Sequence, residues 1–180
     1  MHPSVTGMVY LSADQRQGLQ ARTDGLSITQ QAPYLGWEDL LARAREGWAV
    51  YRATIKPLGY KRLTVKYVNS VSFPLGIPLP DLFNTYPTAP DPDVLFEALS
   101  MHYRIPVDIP FDGIKGASYS VLMVNLGSPE EMGKMLLDNT LSVPIGDEET
   151  LWNIMPAVRK IKNDLFESQL KPMLRMKSNV

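Results

Sequence analysis

Residues 63–74 read LTVKYVNSVSFP. Taken alternately, one set is Leu63, Val65, Tyr67, Asn69, Val71 and Phe73, and the other is Thr64, Lys66, Val68, Ser70 and Ser72. Successive side chains of a strand point to opposite faces, so the spacing predicts a strand with one apolar and one polar side. Strands of this kind belong to antiparallel sheets with one solvated face. Asn69 interrupts the apolar set. A buried amide left unpaired costs about 1–3 kcal/mol, so it must find partners. In one reading it bonds backbone groups of the proline-rich segment 74–92 and fastens that segment to the sheet. In the other it reads a ligand in a pocket with Tyr67 and Tyr103. The structural role is the commoner one for a buried amide.

Working outward, GMVYLS (7–12) and GLQARTDGLSIT (18–29) read as short strands with turns at ADQRQ and TDG. Residues 37–56 predict a helix, with Trp37, Leu40, Leu41, Ala44, Trp48 and Tyr51 near i, i+3, i+4, i+7 spacing. Pro57 and Gly59 stop it. The connection 74–93 is rich in proline, which lacks the N–H a ladder needs, and holds one short helix near 80–86. Three strands follow, from about Leu99 to Ile109, over 117–127, and more weakly over 136–145. A long helix over 147–177 ends the chain, loaded by Asp147, Glu148 and Glu149 at its start. Its stripe is Leu151, Met155, Val158, Ile161, Leu165, Leu170 and Met173, and Pro156 kinks it. The expected fold is α+β: an antiparallel sheet of six to seven strands with two long helices on one face. One domain spans 1–180. Its halves, 7–73 and 94–177, repeat strands followed by a long helix and allow an internal pseudo-repeat.

The chain has 180 residues, is 44% hydrophobic and carries a net charge of −1, which favours neither nucleic acid nor membrane as a global field. With no cysteine there is no disulfide, thiolate metal site or cysteine nucleophile. No apolar run approaches the roughly 20 residues that span a bilayer. MHPSVTGMVY lacks a basic region followed by an apolar one, so a cytoplasmic protein is expected.

Several segments together resemble a known family: TDGLSI (23–28), APYLGWEDLL (32–41), YKRLTVKYVNSVSFP (60–74), LPDLFNTYPTAP (79–90) and ETLWNIMPAVRKIKNDLFESQL (149–170). They are similar to a sporadically distributed family of uncharacterised bacterial and archaeal proteins. Its mark is a Gly-Leu-Arg-Tyr-Ile-Asn-Arg-Ile strand. The corresponding residues are Tyr34 and Trp37, then Lys66, Tyr67, Val68 and Asn69, then Leu82 and Phe83, then Asn163, Phe166 and Glu167. Lys66 and Ser70 stand where that strand has arginines, so a bidentate arginine contact is not carried over. Members tend to have a further strand or two upstream. The resemblance implies no activity.

Function is correspondingly open. The histidines, His2 and His102, form no metal set or triad, and Asp91–Asp93 and Asp147–Glu149 have structural explanations in a turn and a helix start. No catalytic residue, metal or cofactor is assigned. Most of the 18 basic residues lie in 43–66 and 159–177. Lys61, Arg62, Lys66, Arg159, Lys160 and Lys162 are candidate anion contacts, although the polar sides of two amphipathic helices explain them equally. Trp37, Trp48, Phe83 and Tyr86 are candidate interface anchors wherever they are exposed. The leading expectation is a non-catalytic interaction or accessory protein, in a defence or toxin–antitoxin-like pair, with a protein partner or a second copy on an open sheet edge. The alternatives are a small-molecule or nucleotide binder and a nucleic-acid binder.

Overall fold

The computed structural model describes residues 7–86, 100–126 and 132–175. The fold is α+β, and the described residues form seven strands whose pairings are all antiparallel. The strands divide into a three-stranded and a four-stranded sheet, and the chain into two compact units that meet in sequence at Gly59 and Tyr60.

The first unit is a meander, β1 (Gly7–Leu11), β2 (Gln17–Arg22) and β3 (Gly25–Gln30), followed by α1 (Trp37–Ile55). Register puts Met8, Tyr10, Leu19, Ala21, Leu26 and Ile28 on one face. α1 lies against this face at Gly47, where a Cβ would stand 3.0 Å from Leu19 Cδ1 and 3.1 Å from Ile28 Cδ1. A glycine in mid-helix costs about 1 kcal/mol against alanine, and close approach to the sheet accounts for it. Tyr51 closes the other end of the contact by donating its hydroxyl to the Arg22 carbonyl at 2.8 Å. The helix stops where Lys56 turns left-handed and returns its N–H to Arg52.

The second unit is a sheet in the order β4 (Arg62–Pro74), β7 (Met132–Pro144), β6 (Ala117–Asn125), β5 (Ser100–Val107). β4, which the sequence groups with the first half, is paired along its whole length with β7 and belongs here. The weakly predicted strand is the longest inner one: β7 runs 13 residues and alternates buried with half-buried positions. The alternation expected for β4 is present, with Leu63 to Phe73 the better covered set.

The single C-terminal helix expected over 147–177 is three: α3 (Glu148–Asn153), α4 (Met155–Gln169) and α5 (Pro172–Arg175). Pro156 has no N–H for the preceding turn, so it opens a new helix instead of kinking an old one, and Pro172 does the same. Met173 consequently leaves the predicted stripe and is 44% exposed. Asp147 caps α3 through the Thr150 N–H at 2.6 Å. A short helix, α2 (Leu79–Leu82), leads into Phe83, which bridges to Leu170 and meets Phe73 edge-on at 6.4 Å between ring centres. Residues 87–99, with the acidic pair at 91–93 and the start of the ambiguous stretch 94–109, lie outside the described residues, as do His2 and Lys177. Among the described residues no helix is long and apolar enough to cross a membrane.

Candidate functional site

Cross-strand pairing lines up Tyr67, Asn139, Val121 and Tyr103 in one row across the second sheet. Odd-numbered positions of all four strands share this face, and α4 lies over it: Lys162 Nζ sits 3.4 Å above the centre of the Tyr67 ring. The next rows carry Asn69, Leu137, Met123 and Met101, and Leu141, Tyr119 and Ile105. Tyr67 and Tyr103 are therefore on one face but at its two edges, roughly 14 Å apart at three strand spacings. The expected pocket of Tyr67, Asn69 and Tyr103 does not assemble as a unit.

The buried amide is Asn139 on the strand facing Asn69. It is 1% exposed, whereas Asn69 is half-buried and shows no side-chain hydrogen bond among the described residues. Asn139 Oδ1 accepts from the Tyr119 hydroxyl at 2.5 Å and from Gln169 Nε2 at 2.8 Å, and its Nδ2 donates to the Leu137 carbonyl at 3.2 Å. Gln169 Nε2 also donates to the Tyr119 oxygen at 2.8 Å and to the Leu165 carbonyl at 3.2 Å. Two acceptors, Asn139 Oδ1 and the Leu165 carbonyl, fix the orientation of the Gln169 amide, because the reverse would set oxygen against oxygen. That leaves Gln169 Oε1 buried and without a hydrogen-bond partner among the described residues. Fastening of the proline-rich connection, expected of Asn69, falls to Asn84. Its Nδ2 donates to the Ser168 carbonyl at 2.8 Å and its N–H to the Gln169 carbonyl at 2.8 Å.

Beside this triad lies a cavity of about 370 Å³. Met101, Ile105 and Leu165 supply apolar wall, Tyr103 and Tyr119 the phenols, and Thr85, Ser168 and Gln169 the other polar atoms. Burial raises both phenol pKa values. For Tyr119 the neighbouring Tyr103 adds to the rise and the Gln169 hydrogen bond opposes it; for Tyr103 a hydrogen bond with Thr85 opposes it. Both are neutral phenols at physiological pH, and among the described residues no carboxylate, imidazole or ammonium lines this cavity. A charged occupant would be uncompensated there. Among the described residues no group of three His, Cys, Asp or Glu is placed to hold a metal ion.

The basic candidates do not form one surface. Lys66 points to the even-numbered face and pairs with Asp138 at 2.7 Å, while Lys162 points to the odd-numbered face through α4. Lys160 pairs with Asp164 at 2.5 Å, and Arg159, Lys61 and Arg62 are exposed. Burial first, and Arg159 second, push the Lys162 ammonium down to about 8, whereas the Tyr67 ring beneath it favours the charged form. The aromatic candidates are mostly core: Trp37, Phe83 and Tyr86 are buried and Trp48 half-buried, so they act as packing groups rather than surface anchors.

Sequence reasoning missed Tyr119, Asn139 and Gln169. Asn139 falls on the buried face of a strand whose pattern it breaks, and Gln169 sits at the end of α4 where a polar residue reads as solvated. The available signal was the strict alternation of Met135, Leu137, Leu141 and Val143 around Asn139. No protein-family model, curated protein or solved structure matches this chain.

Proposed function

We propose that this protein binds a small, neutral, largely apolar molecule in the cavity beside Tyr119 and Gln169, without catalysis at that site. The observation that carries the reading is Gln169 Oε1, a buried acceptor left over after the triad is satisfied. Leaving it unmet costs about 1–3 kcal/mol; Gln169 lines the cavity, and a small turn of its side chain would let an occupant's hydroxyl or amide N–H meet this oxygen. Apolar wall with a few convergent polar groups is the usual make-up of a small-molecule site, and a volume of about 370 Å³ lies in its range. The family resembled by the sequence implies no ligand, so the reading rests on the cavity alone.

The test is an NMR titration with 2-naphthol and with naphthalene, which differ by one donor. Saturable binding of 2-naphthol, with shifts at Tyr103 and Tyr119 and an affinity several-fold above that of naphthalene, supports the site. In Gln169→Met that preference should vanish while the sheet's amide spectrum persists. Equal affinities, or no saturable binding of either compound, overturns the proposal.

A further inference from the structure

One edge of the first sheet is β1, GMVYL, exposed at every position. Met8, Val9, Tyr10 and Leu11 are 57–61% exposed, consecutive and uncharged. Edge strands are normally protected against further pairing by charge or proline. Two others follow that rule: β4 carries Arg62, Lys66 and Pro74, and β5 carries Arg104 and Pro106, while β3 carries uncharged polar Ser27, Thr29 and Gln30. β1 has no such guard.

The ladder fixes which groups face outward. Ser12 N–H donates to the Gln17 carbonyl at 2.9 Å, continuing the register in which Tyr10 faces Leu19 and Met8 faces Ala21. Hydrogen-bonded and non-bonded pairs alternate in an antiparallel ladder. Ser12, Tyr10 and Met8 therefore bond inward to β2, and Gly7, Val9 and Leu11 turn their N–H and C=O groups outward. Among the described residues no strand pairs with that edge.

We infer that β1 pairs antiparallel with β1 of a second copy about a two-fold axis at Val9, joining two three-stranded sheets into one of six. The strand is its own complement in that arrangement. Val9 faces Val9 of the second copy, and Gly7 faces its Leu11. Met8 faces Tyr10 of the second copy on the side where α1 lies; within one chain the Tyr10 hydroxyl already donates to Met8 Sδ at 3.2 Å. No like charges meet, because β1 has none. A second copy is favoured over an unrelated partner because a two-fold pairing satisfies all the outward groups with one surface, the isologous solution of most soluble oligomers. The first unit also stands to gain, since among its described residues only Trp37 and Tyr51 are buried and a unit this small is marginal alone. This inference is independent of the ligand cavity, which lies in the other unit.

Size-exclusion chromatography with light scattering at tens of micromolar tests it on the full chain. The expected mass is twice 20.2 kDa. Val9→Pro deletes an outward N–H and leaves the β1–β2 ladder whole, and Val9→Lys adds charge at the axis. Both should halve the mass with unchanged far-UV circular dichroism, while Val68→Lys on β4 stays dimeric. Cross-linking covers the case where either variant misfolds. The chain has no cysteine, and a Cα separation near 5.5 Å suits a disulfide. Val9→Cys should then give a disulfide dimer under mild oxidation and Leu11→Cys, facing Gly7, should give little. A monomeric wild type, a dimer that survives both Val9 variants, or cross-linking of Leu11→Cys equal to Val9→Cys overturns the inference.

Discussion

The polar triad in the second sheet makes an asymmetric prediction. Asn139→Ala removes the acceptor that the Tyr119 hydroxyl reaches at 2.5 Å and one of the acceptors of Gln169 Nε2. Gln169 Nε2 keeps the Tyr119 oxygen and the Leu165 carbonyl, so it stays satisfied. The Tyr119 O–H loses its acceptor, on a residue that is 1% exposed. An orphaned buried donor costs about 1–3 kcal/mol, and each lost hydrogen bond a further ~1 kcal/mol, so the expected loss is about 3 kcal/mol. Tyr119→Phe orphans nothing, because Asn139 Oδ1 retains Gln169 and Gln169 retains Asn139. It should cost about 1 kcal/mol. In the double variant the stranded hydroxyl is gone but one N–H of Gln169 is stranded instead, because Nε2 then keeps only the Leu165 carbonyl, so Tyr119→Phe with Asn139→Ala should cost at least as much as Asn139→Ala alone. Urea denaturation followed by far-UV circular dichroism measures the three losses, and amide hydrogen exchange in β6 and β7 reads this unit apart from the first. A Tyr119→Phe loss equal to or above that of Asn139→Ala, or a double-variant loss clearly below that of Asn139→Ala, would refute the reasoning.

Four other outcomes follow from local geometry. Gly133→Ala should destabilise by about 1–3 kcal/mol in thermal melts, since its Cβ would lie within 2.4–3.0 Å of the buried Phe73 ring; Gly47→Ala should be near neutral, because only mobile ends of Leu19 and Ile28 must yield and helix propensity improves. Lys162 binds its proton less tightly when folded than at its ordinary 10.5, so the unfolded chain holds more protons between about 8 and 10.5 and stability should rise with pH through that window; Lys162→Met should flatten this rise in melts taken across it. Hydrogen bonds from Thr150 hold the Asp147 carboxyl below its usual range, so its contribution is present above 3.8 and lost as pH falls through the lowered value; Asp147→Asn should remove that part of the acid-side loss and still cap α3 in a circular dichroism titration.

Much of the fold was legible because it is written in local periodicity. The alternation of 63–74, the 3.6-residue spacing of 37–56 and the loaded start at Asp147 each depend on neighbours in sequence, and each produced its element. Prolines were harder to read: Pro156 signals equally a kink and a fresh helix start, and packing chose the start. Asn69 and Asn139 show where such reading ends. Both interrupt an apolar alternation, and no local rule says which is the buried one.

By itself, then, the sequence determined the class of fold, the antiparallel strands, the two long helices and the absence of any cysteine chemistry. Only tertiary structure decided that β7 lies inside the sheet with β4 at its edge, that Lys66 and Lys162 face opposite sides, and that Tyr119, Asn139 and Gln169 meet. The physical reason is separation along the chain. Tyr119 and Asn139 are 20 residues apart and Asn139 and Gln169 are 30. A polar side chain becomes a buried hydrogen-bonding partner only when distant strands and a helix close over it, and nothing in its immediate neighbours records that event.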